Sequence, residues 1–136
     1  MMRLVLPHGM RRQFEREARA ALPRECCGLI EGRREGARIE AVALHPARNL
    51  AAASRRFEID PSDHIRIRRG ARRRGHAIVG CYHSHPDGMA EPSALDRAGA
   101  GEDDFVWLIL AAGRETVCLL AAFVFKNSDF HPIEIA

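Results

Sequence analysis

The stretch "AIVGCYHSHPDGMAEPSALD", residues 77–96, decides how this chain is read. Its first residues are almost all apolar, as in a central strand, and Pro86 with Asp87 and Gly88 supplies the turn that stops it. On an extended backbone side chains alternate, so His83 and His85 project from one side at the strand end while Ser84 points away. Two imidazoles placed in this way can share one ion. Asp96 could add a hard oxygen, leaving a fourth position open for water as catalytic zinc sites do. A plainer reading fits the same residues: Pro92 makes a turn, Ser93 caps a helix, and Asp96 is the acid of a capping-box variant. The two readings are compatible, because a cap that fixes the first helical turn can also aim Asp96 at an ion.

Upstream, "RLVL" at 3–6 reads as a short edge strand stopped by Pro7. Met10, Phe14, Ala18, Ala21 and Leu22 then recur at helical spacing as far as Pro23. "ECCGLIEG" (25–32) and "RREGARIEAVALHPA" (33–47) read as two strands around a charged, glycine-bearing turn. A loop over 46–56 leads to "RFEID", where Asp60, Pro61 and Asp63 are the residue types of a helix start; that helix ends near Gly75. Beyond the Ser93 helix, "FVWLIL" and "ETVCLLAAFVF" read as strands, and "HPIEI" as a final edge strand. The order mixes hairpin and crossover links. It predicts an α/β fold with a mixed, mainly antiparallel sheet flanked by helices, rather than a doubly wound parallel sheet.

At 136 residues the chain has the size of one domain, 1–136, and 46% hydrophobic with 29% charged residues excludes a disordered profile. The apolar run "FVWLILAA" at 105–112 is too short to span a bilayer, and the N-terminus turns charged before an export signal forms, which predicts a cytoplasmic protein. Cys26, Cys27, Cys81 and Cys118 are irregularly spaced and read as small hydrophobes of a reducing compartment rather than disulfide partners. The net charge of +3 is concentrated in "HIRIRRGARRRGH", 64–76, which holds six arginines and no acid. Such a run could meet nucleic acid or an acidic protein, or be only a solvated helix face. No Cys/His finger, ribonucleoprotein motif or helix-turn-helix pattern accompanies it, which weighs against nucleic acid. Edge strands at the two termini could pair in a homodimer.

Hydrolysis at a metal also needs a carboxylate that is not a ligand, to take a proton from water and hand it to the leaving group. Glu25, Glu31 and Glu91 are the candidates. Glu31 borders a charged turn and Glu91 lies in a loop, where a solvated role is expected; Glu25 opens an otherwise apolar strand and leads.

The residues His83, Ser84, His85 and Pro86, then Ser93, then Asp96 match the pattern HxHx7SxxD and so resemble the JAMM (MPN+) metalloprotease family. "PRECCG", 23–28, places Glu25 in the family's P-x-E-x-C-G context, and "NLAAASRRFEIDPSDH", 49–64, resembles its asparagine, phenylalanine and Asp-Pro. The resemblance covers nearly the whole chain. It implies a JAMM/MPN-like single domain, a sandwich like that of cytidine deaminases. It also implies His83, His85 and Asp96 as ligands of one Zn2+ ion with water as the fourth, Glu25 as general base and then acid, and Ser93 as hydrogen-bond donor to the oxyanion. Asn49 would sit near the substrate, Cys27 would pack behind the site, and Tyr82 and Trp107 would be core or pocket wall. The implied activity is that of a zinc metallopeptidase or isopeptidase. Its partner would be a ubiquitin-like, sulfur-carrier type protein, cut after its C-terminal Gly-Gly. The alternative is a non-catalytic MPN-fold interaction module. A deaminase would require H-x-E with P-C-x-x-C, and neither occurs.

Overall fold

The computed structural model describes residues 2–51, 56–86, 88–113 and 118–136. The turn residue Asp87, residues 52–55 of the 49–64 segment and residues 115–117 of the expected strand lie outside that set. Along the chain, β1 (Arg3–Val5) precedes α1 (His8–Ala21), whose helical spacing buries Phe14 and Ala18 and leaves Arg11 paired with Glu15 on the wet side. β2 (Cys27–Glu35) and β3 (Arg38–Ala47) form an antiparallel hairpin, and Gly36 at φ +61° makes the turn in a conformation that a Cβ would strain. Asp60 caps α2 (Pro61–Arg73) by accepting the Ser62 N–H at 2.9 Å, with Pro61 in the first turn. Then follow β4 (Ala77–His85), α3 (Ala94–Gly99), β5 (Phe105–Ala111), β6 (Leu119–Lys126) and β7 (Asp129–Ile135).

The strands are hydrogen-bonded in the order β1-β3-β2-β4-β5-β6-β7, and β7 pairs back with β1, so the sheet closes into a barrel. Pairing is mixed and mostly antiparallel and helices pack on the central strands, as expected, but the sheet is a closed barrel where a sandwich was expected. Arg3–Val5 pairs in parallel with both β3 and β7, so the two terminal segments are inner strands of a closed sheet rather than edges. The free edges on which homodimer pairing rested are therefore used within the chain. A strand's own alternation says which side chains share a face, but not which neighbour it will find.

Alternation along the central strands sorts side chains into two apolar clusters. Ile30, Tyr82 and Leu108 pack with Phe14 and Ala18 of α1, whereas Leu29, Cys81 and Trp107 pack with Ile67 and Ala71 of α2. Strands covered on both faces read as unbroken apolar runs, which is how 77–83 and 105–111 look in the sequence. All four cysteines are free; Cys27, Cys81 and Cys118 are buried and Cys26 half-buried. Among the described residues no helix is long and apolar enough to cross a membrane.

β2 slips by one residue against both neighbours beside Glu31, leaving Val42 of β3 and Val79 of β4 as the extra residues. At this irregularity Glu31 turns inward and is only 1% exposed, which corrects the solvated role expected of it. Arg74 donates to its two oxygens at 3.0 and 2.8 Å, His76 Nδ1 lies at 2.6 Å and His45 Nε2 at 2.8 Å. Mainly through the Arg74 hydrogen bonds, and against the effect of burial, the carboxyl is held at about 2 instead of 4.5.

Glu31 is buried but the Arg74 side chain is half-exposed and can turn to water, so the loss in Glu31→Gln is that of the charge-assisted hydrogen bonds, about 2–3 kcal/mol in urea unfolding at pH 7. A depressed folded-state pKa stabilises above the unfolded value and is lost as pH falls through the folded one. The gap between wild type and variant should therefore be full above about pH 4.5 and close as pH drops towards 2.

Candidate metal centre

β4 carries His83 and His85 to its C-terminal end on the face shared with Cys81 and α2, and His83 is fully buried. Phe57, from the segment before α2, stacks on the His83 ring at 4.3 Å between centroids, and Trp107 meets it edge-on at 5.8 Å. The Met89 carbonyl accepts from His85 Nδ1 at 2.9 Å and so fixes that ring from behind. Across from them, α3 begins with a full capping box. Ser93 Oγ accepts the Asp96 N–H at 3.0 Å, and Asp96 Oδ2 accepts the Ser93 N–H at 2.8 Å. The same Asp96 Oδ2 lies 3.0 Å from His83 Nε2 and 3.1 Å from His85 Nε2, and the two Nε2 atoms are 3.0 Å apart.

This triangle is frustrated without a positive charge at its centre. With the Nδ1 proton given to Met89, a neutral His85 presents a bare Nε2 lone pair to the Asp96 carboxylate. Protonating both Nε2 atoms would instead set two N–H groups against each other. One cation satisfies all three atoms at once, and donors of a tetrahedral zinc site with bonds of about 2.0–2.1 Å lie about 3.3 Å apart, close to the spacing here. The donor set, two imidazoles and one carboxylate oxygen, therefore fits such an ion.

Glu25 lies immediately before β2 and joins this cluster, with a carboxylate oxygen within 4.8 Å of the histidine ligand atoms. Ser84, pointing away from the histidines, holds it there: its hydroxyl accepts the Cys26 N–H at 2.9 Å and its N–H donates to the Cys26 carbonyl at 3.1 Å. Glu25 Oε1 is buried with no hydrogen-bond partner among the described residues. Glu25 could itself be a third ligand, but Asp96 is the one at contact distance from both rings, which leaves the Glu25 carboxylate facing the site. Burial drives the Glu25 carboxyl up, His85 opposes this and the Asp96 charge adds to it, for a value of about 7. A group in that range can take up and release a proton at neutral pH. Burial works against the Asp96 charge, yet the hydrogen bonds to His83 and His85 outweigh it and hold that carboxyl well below its usual range.

Glu25, His85 and Ser93 line one cavity of about 340 Å³, together with Met89, Glu91 and Pro92. Of the residues proposed for the chemistry, His83, His85 and Asp96 thus meet in one triangle, Glu25 joins the two histidines, and Ser93 shares a cavity with Glu25 and His85. Asn49 lines a further cavity with Glu25, and its side chain is held by backbone groups. Its amide donates to the carbonyls of Glu25 and Arg56, each at 3.0 Å, and its oxygen accepts the N–H groups of Ala51 and Glu58 at 3.0 and 2.9 Å. Tyr82 is core and donates to Glu17 at 2.7 Å, while Trp107 forms the wall of a second cavity. Cys27 is buried, and burial pushes its thiol up to about 12, so it packs as a neutral side chain. Sequence reasoning did not find the supporting roles of Ser84, Phe57 and the Met89 carbonyl; the only signal for Ser84 was its place between the two histidines.

Residues 7–124 match the family described as prokaryotic homologs of the JAB domain. The chain belongs to the prokaryotic JAB family. Over 116 residues this JAB domain is 34% identical to the Haloferax volcanii protein named desampylase, covering 84% of this chain and 78% of that one. Over 94 residues it is 31% identical to the Thermus thermophilus protein named "Probable TtuB-protein conjugate cleaving protease", covering 68% of this chain and 60% of the relative. The solution structure of a Desulfitobacterium hafniense protein matches the whole JAB domain and 92% of its own chain, with a TM-score of 0.87 and 29% identity.

Asn49→Asp keeps the shape of the side chain but turns a carboxylate towards two carbonyls. Two donated hydrogen bonds become repulsions, and thermal unfolding should show a loss on the order of 2–4 kcal/mol.

Proposed function

We propose that this JAB domain is a zinc-dependent hydrolase of a peptide or isopeptide bond that follows the C-terminal Gly-Gly of a ubiquitin-like protein or its conjugate. The observation that carries the reading is the triangle of His83 Nε2, His85 Nε2 and Asp96 Oδ2 at 3.0–3.1 Å, faced by a buried, unpartnered Glu25 oxygen. The substrate class rests on relatives named for desampylation and for cleavage of TtuB-protein conjugates.

In this reading His83, His85 and Asp96 hold the ion. When bound, zinc would lower the pKa of its water and polarise the scissile carbonyl. Glu25 takes a proton from the attacking water and returns it to the amide nitrogen as the C–N bond breaks, so that a glycine carboxylate and a free amine leave. Its buried setting, with the pKa near neutrality, suits both halves of that transfer. Ser93 Oγ spends its lone pair on the Asp96 N–H and keeps its proton for the oxygen that gains charge at the carbonyl. The capping box thus leaves the serine with one free donor, on the wall of the cavity that Glu25 also lines. Two glycines before the scissile bond let an extended tail enter where a side chain would be blocked.

Purified protein should carry one zinc per chain by metal analysis and cut a ubiquitin-like conjugate after Gly-Gly by mass spectrometry. A chelator should abolish the cut, and chelator-resistant cleavage would contradict the reading. Glu25→Gln should retain zinc yet lose about 10²–10⁴-fold in kcat. Ser93→Ala should lose on the order of 10²-fold, as for other oxyanion donors.

A further inference from the structure

The arginine run at 64–76 plays no part in the chemistry above, and the structure gives it a definite shape. Ile67 and Ala71 turn α2 inward against Leu29 and Trp107. On the opposite side Ile65, Arg66, Arg69, Arg72 and Arg73 follow one another at helical spacing, all exposed. Not every arginine of the run is available. Arg74 is committed to Glu31, Arg66 leans on Asp63 at 3.4 Å, and Arg68 lies 3.6 Å from Glu102. Among the described residues the side chains of Arg69, Arg72 and Arg73 form no hydrogen bond or ion pair, so the last two turns present three uncompensated positive charges.

The position of this face matters as much as its charge. His64, from the first turn of α2, lines a cavity of about 450 Å³ with Phe57, Trp107, Leu95 and Asp96. The proposed ligand Asp96 is therefore part of its lining, and His64 brings the first turn of the arginine-bearing helix to it. Ile65 is 54% exposed on the helix and Leu95 is 50% exposed at the cavity, so apolar groups accompany the charge. Phosphate contacts gain nothing from exposed isoleucine and leucine, whereas a protein surface buries them.

We propose that the outer face of α2 is the docking surface for an acidic face of the ubiquitin-like protein whose tail is cut. The proposal rests on the preceding reading for the identity of that tail. Arg69, Arg72 and Arg73 attract the folded body, Ile65 packs against it, and the tail runs past His64 and Leu95 towards Asp96. Steering of this kind acts on encounter and hence on KM, and it is screened by salt.

The test compares wild type with Arg69→Glu/Arg72→Glu/Arg73→Glu and with the neutral triple replacement by Gln, each confirmed folded by circular dichroism. Two substrates are used. One is an acidic ubiquitin-like protein ending in Gly-Gly joined to a reporter lysine, and the other is a short peptide with the same Gly-Gly-lysine linkage. The expected result is a roughly tenfold rise in KM for the protein conjugate in the Glu variant, and a smaller rise in the Gln variant. Both should leave kcat and peptide cleavage unchanged, and the difference should shrink at 0.5 M salt, which cuts the screening length to roughly 4 Å. An unaltered KM for the protein conjugate in both variants would overturn the proposal. So would tighter binding of wild type to a duplex DNA oligonucleotide than to the conjugate. If wild type loaded with zinc cuts neither substrate, the hydrolase reading fails. Anisotropy of the labelled carrier then still decides the docking surface: it stands if both variants weaken binding and falls if neither does.

Discussion

A single buried carboxylate, Glu31, ties the first hairpin to the last turn of α2 and to the start of β4. Ionised and out of water, it is tolerable only because Arg74, His76 and His45 converge on it. The register slip beside it has a consequence further along β4. Ile78 packs on the α2 side and Val79 on the α1 side, yet Cys81 is again on the α2 side, because Val79 is an extra residue in the pairing with β2. Were β4 instead to alternate without a break from Ile78 through Val79, Tyr82 would fall with α2 and His83 and His85 would turn towards Phe14. The face on which the histidines emerge is thus set several residues earlier, by an irregularity built around a charge.

At the far end of β4 a second local device is used twice. The capping box of α3 fixes Asp96 by its own backbone partner, Ser93, before any contact with β4 is considered. One oxygen then meets one N–H and two imidazole nitrogens. The cap and the ligand readings of Ser93 and Asp96 are therefore not rivals. The cap removes the rotamer freedom that a surface aspartate would have to lose on binding an ion, so the cost is met by local helix geometry.

Much of this was legible in the sequence where the signal is local. Asp60-Pro61 and Ser93-x-x-Asp96 mark the starts of α2 and α3, Gly36 marks the hairpin turn, and the alternation of His83 and His85 predicts their shared face. What failed was non-local. Barrel closure depends on Arg3–Val5 finding β7, at the other end of the chain, and nothing in three residues encodes that partner. Glu31 looked solvated because it borders a charged turn, whereas its partners arrive from elsewhere: His45 from β3, and Arg74 and His76 from the segment between α2 and β4. The role of Asn49 was hidden for the same reason: its four bonds all go to backbone, which no side-chain pattern reveals.

Asn49 and Ser84 together explain how Glu25 can stand opposite the histidines although it precedes its strand. Ser84 fastens the backbone of Cys26 to β4 from one side, and Asn49 holds the Glu25 carbonyl from the other. The same Asn49 amide grips the Arg56 carbonyl, next to the Phe57 that stacks on His83. The carboxylate and the aromatic cover of the histidine are therefore fixed by one side chain. The Glu25 backbone and the segment that carries Phe57 are thereby tied to each other through two hydrogen bonds of one amide group.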